Sequence, residues 1–257
     1  MKPWESALNK FLEKWKNKTY VEGAILTGSH VTNHQSKYSD LDIYIILSPK
    51  VKWRERGNER VEGYLMEYFA NPPQQIKSYF KEDFKDRRNI TATMFVTSRI
   101  LFDKTGIVNK LRKEASRYVN KKFKKMDKVQ IEISKYIVWD DLDNLKDIYD
   151  QKAQNFNLVY YSALKRILDT YSSFLQIEIP SQQKILKYLE NKEFRERYGF
   201  RELPDKTFSA LFVKCLEEKD EKQKMKTIEK ISGHVLNKMG GFNIDKWKIR
   251  SKLKISK

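Results

Sequence analysis

Two aspartates with a single residue between them open an apolar stretch of the chain. Asp40 and Asp42 lead into the run IYIIL. Because side chains alternate along a β-strand, residues two apart share a face, about 7 Å apart at their Cα atoms. Two carboxylates this close repel each other and cost free energy to desolvate, and a divalent cation is the usual compensation. The pair predicts a metal site on one face of a strand that places its core residues on the opposite face, namely Leu41, Ile43 and Ile45.

A third carboxylate, Glu67, lies in the next apolar segment, GYLMEYF. Strands that are consecutive in sequence are often neighbours in a sheet, so Glu67 can complete the cluster. Glu62, five residues earlier, is expected on the opposite side of the same strand. Three acidic groups around two metal ions suit in-line nucleotidyl transfer. One ion lowers the pKa of the attacking hydroxyl, and the other holds the triphosphate and neutralises the departing pyrophosphate.

A Gly-Ser turn precedes the aspartates. Gly28 and Ser29 end an apolar segment, and ten residues separate them from Asp40. A glycine at a strand end lets the backbone approach a ligand closely, and a serine hydroxyl can donate to phosphate oxygens. Each feature alone is common at strand ends. Their ordered combination is much rarer and predicts a phosphate site beside the carboxylates.

The first part of the chain alternates predicted strands and helices, and the rest of it is predicted to be helical. An amphipathic helix at 4–16 precedes strands at 20–28, 40–48 and 61–73, a helix at 73–84 and a short strand at 98–106. From about residue 107 the apolar residues recur at helical spacing. We predict an α+β fold, with a small mixed-sheet domain at 1–106 and an α-helical bundle domain at 107–257.

Composition limits the partners. The formal net charge is +18, but lysine far outnumbers arginine. This balance is typical of a genome-wide compositional bias, whereas phosphate-binding surfaces tend to favour arginine. The segments 112–128 and 246–257 are locally basic and are either solvated faces or sites for a polyanion. Neither a membrane span nor a signal peptide is expected. The single cysteine, Cys215, is expected to be a buried thiol in a protein of the reducing cytoplasm.

The order GS, ten residues, DLD and IYIIL resembles the signature of the nucleotidyltransferase superfamily, whose archetype is DNA polymerase beta. The likeness covers roughly residues 21–105. Length and a helical carboxy-terminal half make the chain most similar to the small antibiotic-type adenylyltransferases, which include the kanamycin, streptomycin/spectinomycin and lincosamide nucleotidyltransferases. Over the helical half the likeness is one of architecture.

The resemblance implies roles for six residues. Binding of the triphosphate, from ATP or another nucleotide, falls to Gly28, Ser29 and Ser39. Catalysis and the binding of Mg²⁺, as two ions, fall to Asp40, Asp42 and Glu67. In this family Glu67 would be either a metal ligand or the general base toward the acceptor hydroxyl.

Other residues leave alternatives open. The base could come from the helical half, where Asp140 and Asp141 are candidates, with an ordinary acidic helix face as the other interpretation. His30 and His34 lie between the Gly-Ser turn and the aspartates. They would contact phosphate or acceptor, or else be solvent-exposed loop residues.

The sequence predicts a magnesium-dependent transferase that moves a nucleoside monophosphate, AMP from ATP, to a hydroxyl of a small molecule. An antibiotic is one option for the acceptor. The basic balance of the helical half fits a neutral or anionic acceptor at least as well as a polycationic aminoglycoside. The alternatives are transfer to RNA or protein, or a catalytically silent nucleotide-binding member of the same fold. A homodimer is possible, and no membrane partner is expected.

Overall fold

A computed structural model describes residues 2–245 and 247–250, and these residues form two compact units. The first unit reaches Lys122 and also takes in the later segment Glu193–Phe200. The second unit contains Phe123–Lys192 and the chain from Arg201 onward. The predicted α+β class is confirmed, with a mixed sheet in the first unit and helices in the second. Lys246 and residues 251–257, most of the predicted basic tail, lie outside the described residues.

The sheet of the first unit has five strands: β1 (Val21–Thr27), β2 (Leu41–Leu47), β3 (Glu55–Val61), β4 (Tyr64–Asn71) and β5 (Arg99–Asp103). Their order across the sheet is β3-β4-β2-β1-β5. The β2–β4 pair is parallel, and the other neighbours are antiparallel. A tight turn, Glu62-Gly63, joins β3 to β4, and both residues have positive φ. The prediction that Glu62 shares a strand with Glu67 is therefore wrong.

The helices number eleven in the described chain: α1 (Pro3–Lys16), α2 (Ser29–Thr32), α3 (Pro73–Lys85), α4 (Ile90–Thr97), α5 (Ile107–Asn120), α6 (Lys128–Asp150), α7 (Phe156–Leu175), α8 (Ile185–Glu190), α9 (Lys192–Arg197), α10 (Lys206–Glu217) and α11 (Glu221–Lys238). A 3-10 turn, Gln182–Lys184, precedes α8. None of the helices described is long and apolar enough to cross a membrane.

Both faces of the sheet are covered. Helix α1 buries its predicted apolar face against the β2 residues Leu41, Ile43 and Ile45. On the other face, Tyr44 and Ile46 join a core formed with α3, α4 and α5. Helix α5 thus belongs to the sheet unit, because its apolar residues complete that core. The boundary between the two units therefore lies after α5, whereas the predicted domain boundary lies before it.

The second unit is built around α7. Its buried residues include Tyr160, Leu164 and Tyr171, and the Tyr171 ring packs against Phe208 of α10. Aspartates at the amino ends of three helices accept backbone N–H groups, which satisfies donors that a helix start leaves unpaired; they are Asp127, Asp205 and Asp220. Cys215 is buried, as predicted, and burial raises the pKa of its thiol to about 11.

Candidate active site

The three predicted carboxylates meet at one end of the sheet. Asp42 lies on β2, and the parallel register places Glu67 of β4 directly beside it. Asp40 immediately precedes β2. Carboxylate oxygens of these three residues lie within 4.8 Å of one another, and all three residues are partly buried. The juxtaposition predicted from strand alternation is present, and only the roles of the residues stay predictions.

Gly28 fixes the wall of the cluster on the β1 side. Thr27, the last residue of β1, pairs with Asp42, so the residue after it, Gly28, lies beside the aspartate side chain. A Cβ atom added to Gly28 would lie 2.0 Å from Oδ2 of Asp42. Its φ of 76° and ψ of −155° also belong to a region that residues with a side chain avoid. Glycine is required here on both counts.

The segment from Ser29 to Ser39 connects the turn to the aspartates. The carbonyl oxygen of Gly28 accepts the N–H groups of Val31 and Thr32, which closes the single turn α2. The hydroxyl of Ser39 accepts the N–H of Ser36 at 2.9 Å and so shapes the turn before Asp40. Contacts of Ser29 and Ser39 with a nucleotide remain predictions.

A cation that the sequence interpretation missed lies on β3. Nη2 of Arg56 is 2.6 Å from Oε1 of Glu67. The guanidinium carbon of Arg56 lies 4.8 Å from the centre of the Phe69 ring. Strand β3 went unpredicted because its sequence, ERGNERV, is almost entirely polar. The signal available was its charge alternation next to a two-residue turn.

The two histidines near the site are not exposed loop residues. His30 is 8% exposed and packs edge-on against Trp4, and burial lowers the pKa of His30. Nδ1 of His34 lies 2.8 Å from the carbonyl oxygen of Thr32. The alternative of solvent-exposed histidines is therefore wrong for His30, and His34 is partly covered.

The cover over His34 comes from a segment far along the chain. Phe194 and Tyr198 place their rings 5.3 Å and 5.5 Å from the His34 ring. Arg197 donates from Nη1 to the carbonyl oxygen of Thr32 at 3.0 Å. Helix α9 thus holds the end of α2. Nothing in the local pattern of residues 193–200 distinguished this segment from the helices around it.

The alternative bases in the second unit have partners there. Asp140 accepts from the hydroxyl of Tyr136 at 3.2 Å. Asp141 forms an ion pair with Arg166 at 2.9 Å. Burial raises the pKa of Asp141, and Arg166 opposes that rise. Both aspartates therefore have side-chain partners within the second unit, as expected for an ordinary acidic helix face.

The carboxylate cluster fits a hard divalent cation such as Mg²⁺, which prefers carboxylate oxygen ligands and takes one or two of them together with substrate phosphates. The oxygens of Asp40, Asp42 and Glu67 are close enough to share one ion or to bridge two. The backbone of Gly28 is packed directly against the Asp42 carboxylate, without any side chain in between.

One family model and one solved structure are similar to this chain. A family model described as the nucleotidyltransferase domain matches residues 7–140. No curated protein matches the chain. A solved structure, the nucleotidyltransferase-like protein from Exiguobacterium sibiricum 255-15, is similar over 91% of this chain and 75% of that one, with 11% identity and a TM-score of 0.45. Because the family model spans more than half of the 257 residues, the chain belongs to the nucleotidyltransferase domain family.

Proposed function

We propose that this protein transfers AMP from ATP to a hydroxyl group of a small-molecule acceptor in a magnesium-dependent reaction. Membership of the family supports nucleotidyl transfer in general. The observation that carries the proposal further is the cluster of three carboxylates whose oxygens lie within 4.8 Å of one another. Like charges at this distance repel, so a bound divalent cation would stabilise the cluster.

Each residue of the cluster has a role in the proposal. Asp40 and Asp42 would hold the divalent cation, which supplies charge neutralisation for the phosphates and acidifies a bound hydroxyl. Glu67 would complete the ligand set or accept the proton of the acceptor hydroxyl. Gly28 and Ser29 would hold the triphosphate, because the Gly28 backbone already lies against Asp42.

The acceptor is proposed to be a small molecule of the cytoplasm, because the cytoplasm supplies ATP and keeps a thiol such as that of Cys215 reduced. An antibiotic remains one option, through the predicted likeness to antibiotic-type adenylyltransferases. A polycationic aminoglycoside fits poorly, because the chain as a whole has 52 basic against 34 acidic residues. Transfer to RNA or protein, and a silent member of the fold, are the competing outcomes of the test below.

The test measures the transfer of ³²P from ATP labelled at the α-phosphate to an acceptor. The purified protein is incubated with Mg²⁺ and, separately, a low-molecular-mass cell extract, total RNA and extract protein. We expect label in a small molecule, and loss of transfer by about a hundredfold or more in Asp40→Asn and Asp42→Asn, as for removal of a charge-stabilising group. Both variants should stay folded, because the substitution relieves repulsion.

Asp86→Asn is the matched control. Asp86 is an exposed aspartate just after α3, outside the cluster. It should transfer label like the wild type. Full activity in both cluster variants would refute the proposed site, and label confined to RNA or protein would replace the small-molecule acceptor with a macromolecule.

A further inference from the structure

The sheet order separates the two sides of the carboxylate cluster. Strand β1, with the Gly28 turn, flanks Asp42 on one side, while β4 and then β3 lie on the other. In phosphoryl transfer the attacking and leaving oxygens lie roughly in line on opposite sides of phosphorus. If the triphosphate tail lies at Gly28, the acceptor must approach from the side of β4 and β3.

Strand β3 presents a row of polar residues to that side. Its antiparallel register pairs Arg56 with Phe69, Asn58 with Glu67 and Arg60 with Leu65. Paired residues of neighbouring strands project to the same face of a sheet. The row Arg56-Asn58-Arg60 therefore shares the face of the catalytic carboxylates, and all three residues are exposed.

The acidic residues of β3 point the other way. Glu55 accepts a hydrogen bond from the hydroxyl of Tyr68, and Glu59 pairs with Lys14 of α1. The alternation of charge along the strand thus sorts acids to the α1 face and arginines to the carboxylate face. A strand whose sole task was to close the sheet edge would not need this separation.

Arg56 has two contacts that hold it in place. Its ion pair with Glu67 joins it to the cluster, and its guanidinium stacks over Phe69. Arg56 donates to one carboxylate oxygen of Glu67 and so offsets part of the negative charge that Glu67 would offer to a cation. When Glu67 serves as a metal ligand, the metal weakens the attraction of Glu67 for Arg56, which stays beside Phe69 and can direct its donors to another anion.

We propose that Arg56, Asn58 and Arg60 form an anion-binding row and that the acceptor carries a phosphate or carboxylate group near its reacting hydroxyl. This inference rests on the proposed function, which it deepens by naming the chemical class of the acceptor. Arginine suits the task because its planar fork binds phosphate and carboxylate oxygens in pairs. A polycation would be repelled from the same face.

The first test measures whether Arg56 competes with a metal for Glu67. Mn²⁺ is titrated into the full-length protein by calorimetry, without nucleotide. We expect Arg56→Gln to bind Mn²⁺ about two- to fivefold more tightly than the matched variant Arg60→Gln, the range for a partly exposed ion pair. The control removes the same charge from the same strand face but breaks no bond to Glu67. Equal affinities, or weaker binding in Arg56→Gln, would overturn the competition.

The second test measures anion binding on the acceptor side. The protein is saturated with Mg²⁺ and α,β-methylene-ATP, which cannot transfer AMP, and is then titrated with inorganic phosphate or acetate. Phosphate binding indicates a phosphorylated acceptor, and acetate binding alone indicates a carboxylate. We expect Arg56→Gln and Arg60→Gln each to weaken the binding by about tenfold or more. Lys52→Gln, an exposed charge loss just before β3, should leave it unchanged.

The outcomes distinguish failure of the anion-binding row from failure of the proposed nucleotidyl transfer. If the nucleotide analogue binds but neither anion does, or if the arginine variants bind anions like the wild type, the anion-binding row is refuted and nucleotidyl transfer stands. If the analogue does not bind the wild type, the proposed function fails, and the inference fails with it.

Discussion

Gly28 shows how one residue type connects the fold to the chemistry. It must leave β1 with a backbone conformation open to glycine, and it must leave room for the Asp42 carboxylate 2.0 Å from where a Cβ would lie. A larger residue would have to push Asp42 away from Asp40 and Glu67. The glycine of the sequence signature therefore leaves room for a carboxylate, in addition to its predicted role in the approach of a phosphate.

Gly28→Ala should lower the free energy of unfolding by about 1–3 kcal/mol through backbone strain and abolish Mg²⁺-dependent ATP binding through displacement of Asp42. Gly63→Ala is the control. Gly63 has a φ of 86°, but nothing lies within 4 Å of its added Cβ. It should lose stability and keep ATP binding. Urea unfolding and calorimetry measure the two effects, and normal ATP binding in Gly28→Ala would contradict the argument.

Asp205 is the corresponding structural residue of the second unit. It accepts from the hydroxyl of Tyr171 at 2.5 Å and from the backbone of Phe208 at 2.9 Å, and it lies 2.7 Å from Nε2 of His234. Burial acts to raise the pKa of Asp205, but these hydrogen bonds outweigh it and lower the pKa to about 2. The carboxylate is therefore held charged and contributes to stability.

The pH dependence follows from that direction. A carboxyl whose pKa drops from 3.8 to about 2 on folding stabilises the protein above pH 4, and the contribution is lost as pH falls through 2. Asp205→Asn should cost about 2 kcal/mol at pH 7, and the deficit should shrink between pH 4 and pH 2. Urea unfolding at several pH values tests this, with exposed Asp169→Asn as control. A deficit independent of pH would contradict it.

At the scale of elements, the apolar ones were predictable and the polar or short ones were not. Strand alternation in DLDIYIIL correctly assigned both faces of β2, because burial on each face selects side chains directly. Strand β3 escaped prediction because an edge strand with exposed faces needs no apolar residues. Helix α4 escaped because ITATMFVT is apolar nearly all round and shows no helical period.

The contact between α9 and α2 leads to a testable prediction. Arg197 holds the carbonyl of Thr32, where α2 ends, and α2 begins one residue after Gly28. Arg197→Gln should weaken ATP binding about threefold to tenfold, less than the full effect of one lost charged hydrogen bond, because Arg197 acts on the nucleotide only through α2; the sheet unit should stay folded. Calorimetry measures the affinity, and exposed Arg88→Gln is the control. An unchanged affinity would show that α9 does not position the Gly-Ser turn.

At the scale of the whole molecule, the sequence predicted an α+β fold with a sheet part and a helical part, and both are present. The division between the parts could not be read from the pattern. Helix α5 carries the same helical period as its successors, yet it packs on the sheet. The segment Glu193–Phe200 belongs to the sheet unit despite its place in the helical half. Such long-range choices depend on tertiary packing, which local periodicity does not encode.

Asp40, Asp42 and Glu67 are proposed to form a metal-dependent nucleotide site, and calorimetric titration with ATP tests this proposal. Wild type, Asp42→Asn and the control Asp86→Asn are each titrated with and without Mg²⁺. We expect ATP binding that requires Mg²⁺ in the wild type and the control and that is lost in folded Asp42→Asn. Equal binding of ATP by Asp42→Asn and the wild type, or binding that does not depend on Mg²⁺, would contradict it.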